Sequence, residues 1–197
     1  PVQVLSRDIG YGLWDWMIEG IVYAADNGAD VINMSLSGYV MRSGYYDEYE
    51  DKQYSAKEVA EALVAIRRAL TYAKDKGVVV VAALGNEEID LGKDKNGLAA
   101  PAELGHCIAV SATGPLGWYD DPGTDLDVPA IYTNYGKGAV DFAGPGGNVD
   151  LDFPFGWWFD MVLSLGRYDS VNPEPWSYWY AAGTSMASPA VAGVAAL

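Results

Sequence analysis

Gly183-Thr184-Ser185-Met186-Ala187-Ser188-Pro189, continued by Ala190-Val191-Ala192-Gly193-Val194-Ala195-Ala196-Leu197, is the stretch from which the rest of the chain can be read. Gly183 and Thr184 bring the backbone into a turn, and Ser185 falls where the turn becomes a helix. The helix that follows is apolar on every face, and a helix with no polar face is expected to be buried. A hydroxyl at the mouth of a buried helix lies near the positive end of the helix dipole and near unpaired backbone N–H groups. That setting suits a nucleophile and helps hold an oxyanion. The same residues also read as a plain helix cap, and spacing alone does not separate the two.

Working outward, the chain alternates strand and helix patterns. Val2-Gln3-Val4-Leu5 reads as a short buried strand. Leu13, Met17, Ile18, Ile21, Val22 and Ala25 recur at helical spacing, and Asn27-Gly28 ends that helix. Asp30-Val31-Ile32-Asn33-Met34-Ser35-Leu36 reads as a buried parallel strand, completing a strand–helix–strand unit. Residues 56–76 form an amphipathic helix with Val59, Leu63, Ile66, Leu70 and Ala73 on one face. Val78-Val79-Val80-Val81-Ala82-Ala83 is the most strand-like run and ends in Leu84-Gly85-Asn86-Glu87. In open parallel sheets ligands sit beyond the carboxyl ends of strands, which is where Asn86 falls. An Asn after Gly also reads as a simple turn residue. Further strands are expected over 107–112, 139–143 and 161–165, with a sharp turn at Gly144-Pro145-Gly146-Gly147.

Half of the 197 residues are hydrophobic and a fifth charged, which suits one packed domain and argues against disorder. A net charge of −15 disfavours nucleic acid or an anionic membrane as partner. No run approaches the length of a membrane span. Cys107 is the single cysteine, so no internal disulfide forms, and its apolar flanks mark it as a small buried hydrophobe. Residues 38–55 carry Tyr45, Tyr46, Asp47, Glu48, Tyr49, Glu50 and Asp51, which read either as a solvated loop or as oxygen ligands for calcium. Residues 150–180 include Trp157, Trp158, Phe159, Trp176, Tyr178, Trp179 and Tyr180, which read either as a rim for apolar substrate side chains or as packing onto the sheet.

The serine stretch resembles the serine segment of the subtilisin-like serine proteases, the subtilases. Residues 30–36 and 78–87 match two further segments in the family's order, and the likeness covers nearly the whole chain. It implies an α/β fold in three layers, a mostly parallel sheet flanked by helices, truncated at both ends. On that reading residues 1–197 are a partial peptidase domain carrying additions at 38–55 and 147–180. The resemblance assigns Ser185 as nucleophile and the side-chain amide of Asn86 as oxyanion donor. It has Ser35, Leu36, Ser37 and Gly38 pair with the substrate backbone as an added strand. Ala83, Leu84 and Gly85 would line the specificity pocket, with Leu84 narrowing it where the family commonly has a smaller residue. Ser37 and Ala190 are further departures, standing where the family often has Gly and His. Pro101 is expected to be cis. The implied partner is a polypeptide, with no nucleic acid and no membrane span. The protein would be monomeric and extracellular and need no cofactor for catalysis, structural calcium being left open.

Two parts of the family's machinery have no match. His106 is the only histidine, and its segment Leu104-Gly105-His106-Cys107 lacks the family's histidine flanks. Neither Asp8 nor Asp15 stands at a strand end ahead of the first helix as the family's aspartate does. The expectation is that the chain starts downstream of the catalytic Asp and His, ends within the serine helix, and is inactive alone. The alternative is a non-catalytic member that binds peptide or serves as a structural module.

Overall fold

A computed structural model describes residues 1–6, 10–48, 50–166 and 177–197. Asp8, Tyr49 and Trp176 lie outside the described residues. Helix α1 (Trp14–Asp26) turns Met17, Ile21 and Ala25 inward, as its spacing predicts. The Asn27 amide closes it by donating to the Tyr23 carbonyl at 2.8 Å. Strand β1 (Val31–Met34) follows, then β2 (Gly38–Met41), β3 (Gly44–Asp47) and β4 (Lys52–Ser55). Helix α2 (Ala56–Asp75) starts at a capping box in which Ser55 and Glu58 satisfy each other's backbone N–H groups. Strands β5 (Val79–Ala83), β6 (Gly97–Ala100), β7 (Ile108–Thr113), β8 (Phe142–Pro145), β9 (Val162–Gly166) and β10 (Ser177–Ala181) lead to helix α3 (Thr184–Ala195).

The main sheet is parallel, in the order β1-β5-β7-β8. Strand alternation on β5 builds two cores. Val80, Ala82 and Leu84 face the layer of α1 and α2, together with Met17, Ile21, Ile66 and Leu70. Val81 faces the other way, joining Val110, Ala112, Ala187 and Ala192 beneath α3. The result is the three-layer α/β architecture expected from the sequence. Three small antiparallel pairs, β2–β6, β3–β4 and β9–β10, decorate it. The Ala100–Pro101 peptide is cis, as the resemblance implied.

Several elements differ from expectation. Val2 to Leu5 is not a strand: it is unpaired, and Val2 and Leu5 are exposed. Strand β1, expected to be buried, is an edge strand with only Met34 fully covered. The last strand of the sheet starts at Phe142 rather than Ala139. The described residues of 38–55 hold strands β2, β3 and β4 joined by turns, where one reading of the sequence has a loop. Tyr45 and Tyr54 are cross-strand partners whose rings stack at 5.4 Å, and such pairs are the stabilising unit of a sheet. Strand β10 was not foreseen, because its run of aromatics carries no alternation. Helix α3 turns Thr184, Ala187, Ser188 and Ala192 toward the sheet, and within residues 1–197 Val194 is 72% exposed. An all-apolar sequence hides which side will face the sheet.

Candidate active site

Strand β5 ends at Ala83, and the chain then turns through Gly85 at a φ of 105°, which an L side chain rarely adopts. Asn86 therefore lies just past the carboxyl end of the central strand. Helix α3 packs across β5, β7, β8 and β1. Small residues let it come close: a Cβ on Gly144 would meet the Ala187 carbonyl at 2.9 Å, and one on Gly146 the Gly183 carbonyl at 2.7 Å. The first residues of α3 thus arrive beside Asn86.

Three hydrogen bonds join the two segments. The Thr184 N–H donates to Asn86 Oδ1 at 2.9 Å, and the Thr184 hydroxyl donates to the same oxygen at 3.0 Å. The Gly85 N–H donates to Thr184 Oγ1 at 3.1 Å. Two donors on one atom fix that atom as the oxygen, so the amide nitrogen of Asn86 is the end left over. No described group accepts from it, nor from the Ser185 N–H in the first turn of the helix. Ser185 adjoins Thr184, so its hydroxyl and N–H belong to the segment bonded to Asn86, and both residues line one cleft.

Ser35 ties the end of β1 to the same point. The Ser185 hydroxyl donates to the Ser35 carbonyl at 3.1 Å, and the Ser35 hydroxyl donates back to the Ser185 carbonyl at 2.7 Å. Asn33 donates to Ser35 Oγ at 3.0 Å, and Ser188 Oγ lies 3.3 Å from it. A cleft of about 400 Å³ opens beside these groups. Ser35, Leu36, Ser37, Gly38, Ala83, Gly85, Asn86 and Ser185 are all among the residues that line it. The Ser37 hydroxyl is buried there without a hydrogen-bond partner.

Not every residue singled out in the sequence reaches this cleft. Leu84 is fully buried in the α1/α2 core and is absent from the cleft wall. Alternation gives the reason: Ala83 and Gly85 face the cleft, so the residue between them faces the opposite layer. His106 is exposed on a turn at a φ of 56° and does not line the cleft. Burial pushes the Cys107 thiol up to about 12, which leaves it protonated and unreactive. The described aromatic residues of 150–166 and 177–180 do not line the cleft. They stack on one another and on Tyr119, as in Tyr119–Phe159 at 5.4 Å and Phe159–Tyr180 at 5.8 Å.

Among the described residues no group of three or more His, Cys, Asp or Glu is placed to hold a metal ion. Asp47, Glu50 and Asp51 accept from tyrosines: Tyr11 bonds Asp47 at 2.8 Å, Tyr54 bonds Glu50 at 2.7 Å, and Tyr46 bonds Asp51. Asn134 went unremarked in the sequence, since a polar loop residue carries no local mark. It is fully buried and bonds the segment around Asn86.

A parallel sheet flanked by helices, with an asparagine past a strand end and a serine at a helix start lining one cleft, defines the class as three-layer α/β. The chain belongs to the subtilase family, whose model matches residues 2–197. It is 32% identical over 196 residues to thermitase of Thermoactinomyces vulgaris, covering all of this chain and 49% of that protein. It is 28% identical over 198 residues to the epidermin leader peptide-processing serine protease of Staphylococcus epidermidis, covering 92% of this chain and 40% of that one. The solved structure of a lanthipeptide protease superposes with a TM-score of 0.72 at 27% identity, covering all of this chain and 54% of that one. The chain thus spans about half the length of the relatives it matches. No described helix is long and apolar enough to cross a membrane.

Proposed function

We propose that the protein to which this chain belongs is a serine endopeptidase acting on polypeptides. Ser185 Oγ attacks the scissile carbonyl, and the Asn86 amide and the Ser185 N–H receive the oxyanion. Substrate backbone pairs along 35–38, and Ala83 and Gly85 flank the side chain preceding the cut bond. Leu84, which lies in the core, takes no part. The proton of Ser185 needs a base, and the single histidine lies away from the cleft. The base and its aspartate are therefore supplied by polypeptide outside residues 1–197, and this chain alone hydrolyses peptides at no useful rate. Nucleophile, base and oxyanion donors are all protein groups, so the chemistry requires no cofactor. The same reading makes the protein a monomer that works outside the cell, with 38–55 and 147–180 as additions to the family frame.

The observation that carries this reading is the pair of bonds from Thr184 to Asn86 Oδ1. They engage the oxygen end of Asn86 and leave its amide end without a described acceptor, on the segment bonded to the residue before Ser185, which supports the donor role. The test is labelling of the intact protein by a fluorophosphonate. Labelling is expected at Ser185 and is expected to vanish in Ser185→Ala. Labelling that survives the substitution, or none in the intact protein, would favour a non-catalytic, peptide-binding member of the family.

A further inference from the structure

We propose that Asn134 is the positioning residue that holds Asn86 at its working place. Asn134 stands in the loop between β7 and β8, far along the chain from Asn86, and its side chain is fully buried. Its Oδ1 accepts from the Glu87 N–H at 3.2 Å and the Ile89 N–H at 3.0 Å. Its Nδ2 donates to the Leu84 carbonyl at 3.0 Å and to the Glu87 carboxylate. Its own N–H donates to the Gly85 carbonyl at 3.1 Å. The whole hydrogen-bonding capacity of the amide is thus spent on the residues flanking Asn86 on both sides. Glu88 and Leu91 add backbone bonds to Tyr132 and Tyr135, so the segment after β5 lies strapped to the 132–135 loop.

This strap is what a donor on a loop requires. Asn86 sits beyond the end of its strand, where no sheet ladder holds it. Thr184 fixes which end of its amide faces outward, but the backbone bearing it is placed by Asn134. A hydrogen-bond donor contributes to oxyanion binding only when it is held at the oxygen's future position before the reaction. Gly85 agrees with this: a Cβ there would lie 2.5 Å from Asn134 Nδ2, so the turn and the strap fit only without a side chain.

The inference rests on the oxyanion role proposed for Asn86, and a double-mutant cycle in the intact protein separates the two. Asn86→Ala alone is expected to lower kcat by about 10²–10³-fold with KM little changed, a magnitude borrowed from subtilisin's matching asparagine. Asn134→Ala is expected to lower kcat by about 10–100-fold, again with KM little changed, as a small misplacement of a catalytic group does. In the Asn86→Ala background the same substitution should cost less than about twofold, because the group it positions is gone. A residue of merely structural importance would instead lower kcat equally in both backgrounds, or lower only the melting temperature; either result overturns the proposal. If Asn86→Ala leaves kcat intact, the oxyanion role itself falls and the proposal with it. Asn134→Asp sets an oxygen against the Leu84 carbonyl and the Glu87 carboxylate where the amide donates, and should lower kcat at least as far as Asn134→Ala. The neutral Asn134→Ser carries the same cycle should the alanine variant not accumulate.

Discussion

Leu84 precedes Gly85 and Asn86, which line the cleft, yet it belongs to the core, and that difference can be measured. Leu84→Ala removes three carbons from a side chain with 0% exposure packed among Val80, Ala82 and the α1/α2 layer. At about 0.8 kcal/mol per buried carbon the transfer loss is about 2.4 kcal/mol. The cavity left behind raises the cost to about 3–4 kcal/mol, within the range of about 2–5 kcal/mol typical of such truncations. With a urea slope of about 2 kcal/mol/M, the unfolding midpoint should fall by about 1.5–2 M at unchanged slope. The measurement is best made in a Ser185→Ala background, so that unfolded chains are not digested. In the active background, the preference for the residue before the cut bond should not change. A midpoint shift worth less than about 1 kcal/mol, together with an altered cleavage preference, would refute the reasoning and return Leu84 to the pocket wall.

Two further outcomes follow from the hydrogen bonds. Thr184→Val leaves the Gly85 N–H without its acceptor and Asn86 with one tether of two; stability should fall by about 1–3 kcal/mol and kcat by about fivefold to tenfold, while Thr184→Ser should stay near wild type in both. Alkaline pH should destabilise the fold. The Asp94 bond, with burial, raises the Tyr39 hydroxyl to about 12; the Glu50 bond raises Tyr54, and burial raises Tyr11 and Tyr132, all above the ordinary value of 10. The fold favours the protonated tyrosines, so their contribution is fully present below pH 10 and is lost as pH rises toward 12 and beyond. Urea midpoints at successive pH values, read beside phenolate absorbance, should show the midpoint falling over that window while a subset of tyrosines ionises only on unfolding; a flat midpoint would contradict the assignment.

While the family resemblance singled out Ser185 and Asn86, residue patterns alone gave the three helices, the strands at 31–34, 79–83 and 108–113 and the inward faces of α1 and α2. Those features depend on spacing along the chain: a period near 3.6 or 2, a cap, a glycine at a turn. The pairing of Asn86 with Thr184, the strap of Asn134, the side to which Leu84 points and the face that α3 turns to the sheet were settled only in three dimensions. Each depends on which element lies across the sheet, and no periodicity records that. The tyrosine-rich stretch makes the same point from the other side. Its composition does not reveal the hairpin of β3 and β4, whose cross-strand geometry brings the carboxylates at 47, 50 and 51 to tyrosine hydroxyls.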